Sequence, residues 1–239
     1  MPSDHRSAST DSPDNTGGTL EGRRLVFVRH GVTDFTVSHR LDGRGGADPP
    51  LNAIGTAQAE ATGTAVSDLV TRAAGNTTSA AVTLWCSSLH RVRLTATAVG
   101  AALGLTPQVD SDWDERCFGR WDGLTLAQIH DRFPDDLARM YQDPAYQPPG
   151  GESRADVAMR VLRGYRRLVE GEPGSTAVVV TSRVPLLVVL NEVLGIAPER
   201  FWALATEPAS VTVVDLWADG HVSVPVLNRT DHLREIATD

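Results

Sequence analysis

Four consecutive large apolar residues, Leu25-Val26-Phe27-Val28, run without a break into Arg29-His30-Gly31. An apolar run this short shows neither a helical stripe nor polar alternation. Both of its faces must therefore be buried, as in a parallel strand covered by helices on either side. A second run, Ala177-Val178-Val179-Val180, has the same character and leads into Thr181-Ser182-Arg183. Strands of this kind constrain the chain to an α/β architecture, and open α/β sheets place ligands outside the carboxyl ends of their strands. Arg29, His30 and Gly31 are delivered to that position.

Periodicity and turn residues predict the remaining elements. A strand over 24–29 is followed by a helix from about Asn52 to Arg72, a strand from Ala81 to Cys86 and a helix from Leu89 to Leu103. Short helices are expected between Thr125 and Tyr141, a helix from Ser153 to Glu170, a strand over 176–181 and a helix from Pro185 to Leu194. Val211–Trp217 and His221–Val226 flank Asp219-Gly220, a hairpin signal. The alternation predicts a three-layer sandwich: a mostly parallel central sheet with an antiparallel edge, and helices on both faces. In the Ser153–Glu170 helix, Val157, Val161, Leu162 and Leu168 supply the apolar face, and Arg160, Arg163, Arg166 and Arg167 read as a solvated one.

Composition removes several classes of function. The formal net charge is -8, the pI is near 5.3, and no basic run or basic-aromatic alternation occurs, which argues against nucleic acid as a partner. No apolar stretch approaches the ~18 residues of a membrane span, and no signal-like segment follows the first charges, so no membrane association and a cytoplasmic location are expected. Residues 1–21 are rich in Ser, Thr, Asp, Pro and Gly and are expected to be disordered, which leaves 22–239 as one domain. Cys86 and Cys117 form no Cys-x-x-Cys pair, and the histidines lack metal-ligand spacing, so no metal or organic cofactor is implied. Cys117 reads as a small buried filler.

The residues after the first strand suit attack on phosphorus. A neutral imidazole is an available nucleophile near neutral pH, an adjacent arginine can fork onto phosphate oxygens, and a glycine lets backbone approach closely. His30, Arg29 and Gly31 meet these needs in order. Thr33, Gly43-Arg44, Pro50-Leu51-Asn52, Gly55 and Gln58-Ala59 follow. Further blocks are Cys86-Ser87-Ser88-Leu89-His90-Arg91 through Thr95-Ala96, Glu115 with Phe118-Gly119-Arg120-Trp121-Asp122-Gly123-Leu124-Thr125, and Pro149-Gly150-Gly151-Glu152-Ser153. In its order of blocks, over roughly residues 23 to 232, the chain resembles the histidine phosphatase (phosphoglycerate mutase-like) superfamily. Val32 and Thr36 stand where that family usually has Glu and Asn.

The resemblance implies a phosphohistidine at His30, phosphate contacts from Arg29, Gly31, Thr36 and Arg91, and a proton donor at Glu115. It also implies a substrate-covering segment around Phe133–Pro149, to which Trp121, Tyr141 and Tyr146 contribute. Where the family places a second catalytic histidine, this chain has Ser182, which keeps a hydrogen bond and gives up a charge. Losing one preorganised donor costs on the order of 10² to 10³ in rate. Arg183 either restores the missing cation or, since neighbours on an extended segment point oppositely, faces the surface.

The third block lacks the longer insert of true phosphoglycerate mutases, which favours phosphatase over mutase. The leading expectation is a phosphomonoesterase acting on a small phosphorylated substrate, with a homodimer left open. Two alternatives stand beside it: a degenerate member that binds a phospho-ligand or partner, and a specialised mutase, transferase or non-hydrolytic enzyme on the same fold.

Overall fold

The structure is a computed structural model that describes residues 22–74 and 81–236. The expected disordered segment, 1–21, lies outside the described residues. Strand β1 (Arg23–Arg29) leads through a short helix α1 (Asp34–Val37) to α2 (Ala53–Ala74), then β2 (Val82–Cys86), α3 (His90–Leu103) and a two-residue β3 (Gln108–Val109). Helices α4 (Leu126–Arg132) and α5 (Pro134–Gln142) precede α6 (Arg154–Val169), β4 (Thr176–Thr181), α7 (Arg183–Val193), and the strands β5 (Val211–Leu216) and β6 (Val222–Arg229).

The six strands lie in the order β3-β2-β4-β1-β5-β6. Strands β1, β2, β3 and β4 run parallel, and β5 and β6 form the antiparallel edge. This is the expected mixed sheet. Alternation along β1 and β4 divides their side chains between two cores. Leu25, Phe27, Ala177 and Val179 pack with Val157 and Val161 of α6 and Leu186, Leu187 and Leu190 of α7. Val26, Val28, Val178 and Val180 pack with Val66 of α2 and Val92, Ala96 and Val99 of α3. Both faces of the apolar runs are thus buried, which is why neither run carries a polar residue.

Differences from the expected elements are local. Helix α7 begins at Arg183 rather than at Pro185, and Pro185 sits in the first turn, where its missing N–H has no intrahelical partner to lose. Helix α1 and strand β3 are too short to carry a periodic pattern. Strand β6 runs on to Arg229 and takes Pro225 in its stride, because an edge strand can leave one side unpaired.

The arginines of α6 require a correction. Arg160 is buried and donates to the carbonyl oxygens of Asp112, Asp114 and Glu115 as well as to the Glu152 carboxylate. Arg163 and Arg167 pair with Asp112, and Arg167 also with Asp110. Arg163, Arg166 and Arg167 are exposed, as expected of a solvated face, whereas Arg160 is withdrawn from it and ties down the loop that carries Glu115. A second correction concerns Cys117: it is half-buried at a cavity of about 240 Å³ lined by Arg44, Arg120 and Asp122, and is not a core filler.

A smaller third cluster, Phe118, Trp121, Ile129, Met140 and Tyr146, holds α4 and α5 together. Trp121 stacks on Phe133 with ring centroids 6.3 Å apart and lies 5.9 Å from Tyr146. The segment is pinned to the loop after α1 by Gly43 N–H donating to Asp122 (2.6 Å) and by backbone bonding of Leu41 with Leu124.

Candidate active site

Strand β1 pairs with β4 through Arg29↔Thr181, and the backbone N–H of His30 donates to Thr181 O at 3.0 Å. The carboxyl ends of the two central strands therefore bring His30 and Ser182 to one end of the sheet. The His30 ring is buried, with Nδ1 2.7 Å from Gly31 O. A carbonyl only accepts, so Nδ1 carries the proton and Nε2 keeps its lone pair. Nε2 accepts from Arg91 Nε at 3.3 Å. Burial, with Arg91 and Arg29 nearby, holds the imidazole well below its usual pKa, so the ring is neutral at physiological pH.

The expected anion-binding residues divide into two kinds. Arg29 donates to Thr206 O at 2.5 Å and leaves its buried Nε without a partner. Burial pushes its pKa down to about 10, with the charge of Arg183 as the next influence and Glu115 and Glu207 opposing. Arg91 is fully buried at the start of α3 and engaged throughout: besides His30 it meets Asp48 Oδ1 (3.2 Å), Asp42 O (2.6 Å) and Asp42 Oδ1 (3.0 Å). The last contact is close enough for an ion pair but off the angle of a hydrogen bond, so both carboxylate oxygens of Asp42 are buried without a donor. Burial raises the Asp42 pKa to about 7 in spite of Arg91, with Asp122, Glu115 and Asp48 adding to the rise.

Gly31 packs against other backbone. A Cβ there would lie 2.5 Å from Gly55 O, and one on Gly55 would lie 2.0 Å from Val32 O, so the pair lets the loop after β1 seat on the start of α2. The Gly31 N–H donates to Thr95 Oγ1 at 3.2 Å. The Thr36 hydroxyl is held in the capping box of α1 with Thr33.

Glu115 is buried beneath the first turn of α7. Its carboxylate accepts from Val184 N–H (3.2 Å) and Arg116 N–H (2.6 Å). Glu115 thereby does the work of an N-cap for α7. Ser182 occupies the N-cap position without a side-chain cap bond, and its hydroxyl is fully buried and unpartnered. Arg183, one residue on, is exposed, with its guanidinium 5.7 Å over the Trp202 ring.

Reading the sequence missed Asp42 and Asp48, whose carboxylates occupy Arg91, and Thr206, whose carbonyl holds Arg29. Asp42 directly precedes Gly43-Arg44 and Asp48 follows it after three intervening residues, but their pairing with Arg91 is made only in three dimensions. Thr206 carries no local signal. Among the described residues, no group of three or more His, Cys, Asp or Glu is arranged to hold a metal ion, and no helix is long and apolar enough to cross a membrane.

The family model for the histidine phosphatase superfamily (branch 1) matches residues 25–229. The chain belongs to this superfamily. It is 37% identical over 225 residues to Bifunctional protein Rv2228c of Mycobacterium tuberculosis, covering 94% of this chain and 59% of that protein. The chain thus spans about three-fifths of the length of the first curated relatives it matches. Glucosyl-3-phosphoglycerate phosphatase of M. tuberculosis is 36% identical over 154 residues, 64% of each chain. The solved structure of mycobacterial glucosyl-3-phosphoglycerate phosphatase Rv2419c with VO3 superposes with a TM-score of 0.74 at 30% identity, covering 87% of this chain and 100% of the other.

Proposed function

We propose that the chain is a phosphomonoesterase that acts on a small phosphorylated metabolite through a phosphohistidine at His30. The observation that carries this reading is the state of the His30 ring. It is neutral, its Nδ1–H is fixed on Gly31 O, and the Nε2 lone pair is presented beside the Arg91 guanidinium. That is the tautomer a nitrogen nucleophile needs. In the proposed reaction Nε2 attacks phosphorus and the ester oxygen leaves, taking a proton from Glu115. Water activated by Glu115 then cleaves the P–N bond and returns the free imidazole.

Arg29, with an unused donor at Nε, and Arg91 would stabilise the equatorial oxygens, and the unpartnered Ser182 hydroxyl would donate to one of them. For Arg91 to turn toward a phosphoryl group it must loosen its hold on Asp42 or Asp48. Relatives support the activity: one is named Glucosyl-3-phosphoglycerate phosphatase, and another, 27% identical over 217 residues, Phosphoserine phosphatase 1 of Hydrogenobacter thermophilus.

Ser182 also supports a second reading, a member that holds a phospho-ligand without turning it over. A neutral hydroxyl where the family resemblance places an imidazole leaves the transferring group with one cation fewer. One experiment separates the two. Wild type and His30→Ala are incubated with p-nitrophenyl phosphate and quenched in alkali, and intact mass is read beside released phosphate. A mass gain of one phosphoryl group on wild type alone, or turnover lost in the variant by about 10⁴-fold or more, is expected. Neither signal, with inorganic phosphate still raising Tm, would establish the non-hydrolytic reading.

A further inference from the structure

Three features set Arg183 apart from the cationic groups around His30. Arg91 is fully buried and Arg29 is half-buried with its Nε inaccessible, whereas Arg183 is exposed. Among the described residues no carboxylate lies within 4 Å of Arg183, while Arg91 is held by two. The guanidinium is nevertheless positioned, stacked over Trp202, which in turn meets Tyr141 edge-on with centroids 5.7 Å apart. Tyr141 is itself 39% exposed at the end of α5. The platform therefore has one open face, aromatic with a fixed and uncompensated positive charge.

The platform stands beside the cradle and not across the molecule. Arg183 follows Ser182 directly, and its charge acts on Arg29 more strongly than that of any other group. Arg183 lies two residues beyond Thr181, the β4 partner of Arg29, so the two guanidinium groups flank the same end of the sheet. A phosphoryl group bound at His30 and Arg29 would satisfy the half-buried member of the pair. The exposed member would face whatever extends from the ester oxygen toward solvent.

We propose that Arg183, seated on Trp202, is a specificity-determining residue that binds a second anionic group of the substrate, so that the preferred ligand is a phosphomonoester bearing a carboxylate or further phosphate. This rests on the phosphomonoesterase reading of the cradle and adds the substrate class to it. It also assigns Arg183 a task other than replacing a catalytic cation: an exposed guanidinium stacked on Trp202 is held at the rim. Arginine suits that task, because a planar fork can stack on an aromatic face while its edge donates to a carboxylate.

The test compares matched ligands in the full chain. O-phosphoserine and O-phosphoethanolamine differ by one carboxylate, as do 3-phosphoglycerate and glycerol 3-phosphate, while p-nitrophenyl phosphate carries no second anion and fructose 1,6-bisphosphate carries a phosphate. For Arg183→Ala, KM should rise about 10- to 100-fold on the doubly anionic member of each pair and less than about 3-fold on p-nitrophenyl phosphate. Arg183→Lys should recover only part of the loss, because an ammonium does not stack as a guanidinium does. An equal loss on p-nitrophenyl phosphate would place Arg183 on the transferring phosphoryl group, and no loss on any substrate would make it a solvated side chain. Either result overturns the proposal. If wild type hydrolyses none of these esters, the reaction reading fails, and the subsite is judged separately from calorimetric Kd values for the same pairs in wild type and Arg183→Ala. Equal affinity for the two members of each pair in wild type would overturn it.

Discussion

Arg160 is buried and Arg29 half-buried with an inaccessible Nε, and the protein treats the two guanidinium groups oppositely. Arg160 spends its donors on three backbone carbonyls and a carboxylate, so nothing is left for a ligand. Arg29 has one carbonyl partner, an idle Nε and a pKa driven down to about 10 by burial. The first is a brace and the second is poised. A buried guanidinium whose donors are all satisfied stabilises the fold, whereas one left partly unsatisfied stores a cost that an anion can relieve.

The widest test of this contrast replaces each in turn. Arg160→Leu strands carbonyls at Asp112, Asp114 and Glu115, and should cost about 3–5 kcal/mol, seen as a Tm lower by roughly 10 °C. Arg29→Met should leave Tm within about 2 °C of wild type, or raise it, while lowering kcat/KM by about 10² to 10³. If Arg29→Met instead proves the more destabilising of the two, the distinction between brace and poised group fails.

Asp42 sharpens the comparison on the acidic side, since it too is buried with unused atoms. Its folded pKa of about 7 lies above the ~3.9 of an unfolded aspartate, so the unfolded state binds fewer protons between these values and stability falls as pH rises from about 4 to 7. Asp42→Asn, which mimics the protonated form, should therefore gain on the order of 2–4 kcal/mol at pH 8 and much less at pH 5, read from urea melts at the two pH values. His30 slopes the other way. Its lowered pKa leaves the unfolded state to take up the proton, so its contribution is whole above about pH 6.5 and is lost as pH falls below that.

The smallest effect belongs to Ser182. Ser182→Ala removes a hydroxyl that makes no bond in the free protein, so stability should change by less than about 1 kcal/mol. Turnover should fall roughly 10-fold or more if the hydroxyl serves the phosphoryl group. Unchanged kinetics would remove Ser182 from the site.

Much of the fold was legible because β1 and β4 are apolar on both faces, and because α2, α3 and α6 are long enough to show a stripe. Strand β3 escaped because its two residues are exposed and gain their status only by pairing with Trp85 and Cys86. At the site, the order of blocks named His30, Arg91, Glu115 and Ser182, and the structure brings His30 against Arg91 and Glu115 beneath the turn that follows Ser182. The partners of these residues were not legible, since Asp42, Asp48 and Thr206 reach them across space. Arg160 was misread although a signal existed: it lies three residues after Val157 and one before Val161, inside the stripe of α6 that faces the core.

Strand β1 has a further consequence, one for how the molecule is built. It lies between β4 and β5, and Arg24 bonds Asp215 across 191 residues of sequence. The strand that leads into His30 precedes both of its neighbours in the chain and is complete only when the later of them, β5, has paired with it. Such distant pairing slows folding, because a long loop must close before its contacts repay the entropy. Until β5 arrives, β1 has an open edge, and no amino-terminal fragment ending before β5 can hold His30 on its finished sheet. Catalytic competence should therefore appear late in refolding, together with the last strand pairing and not with the first helices.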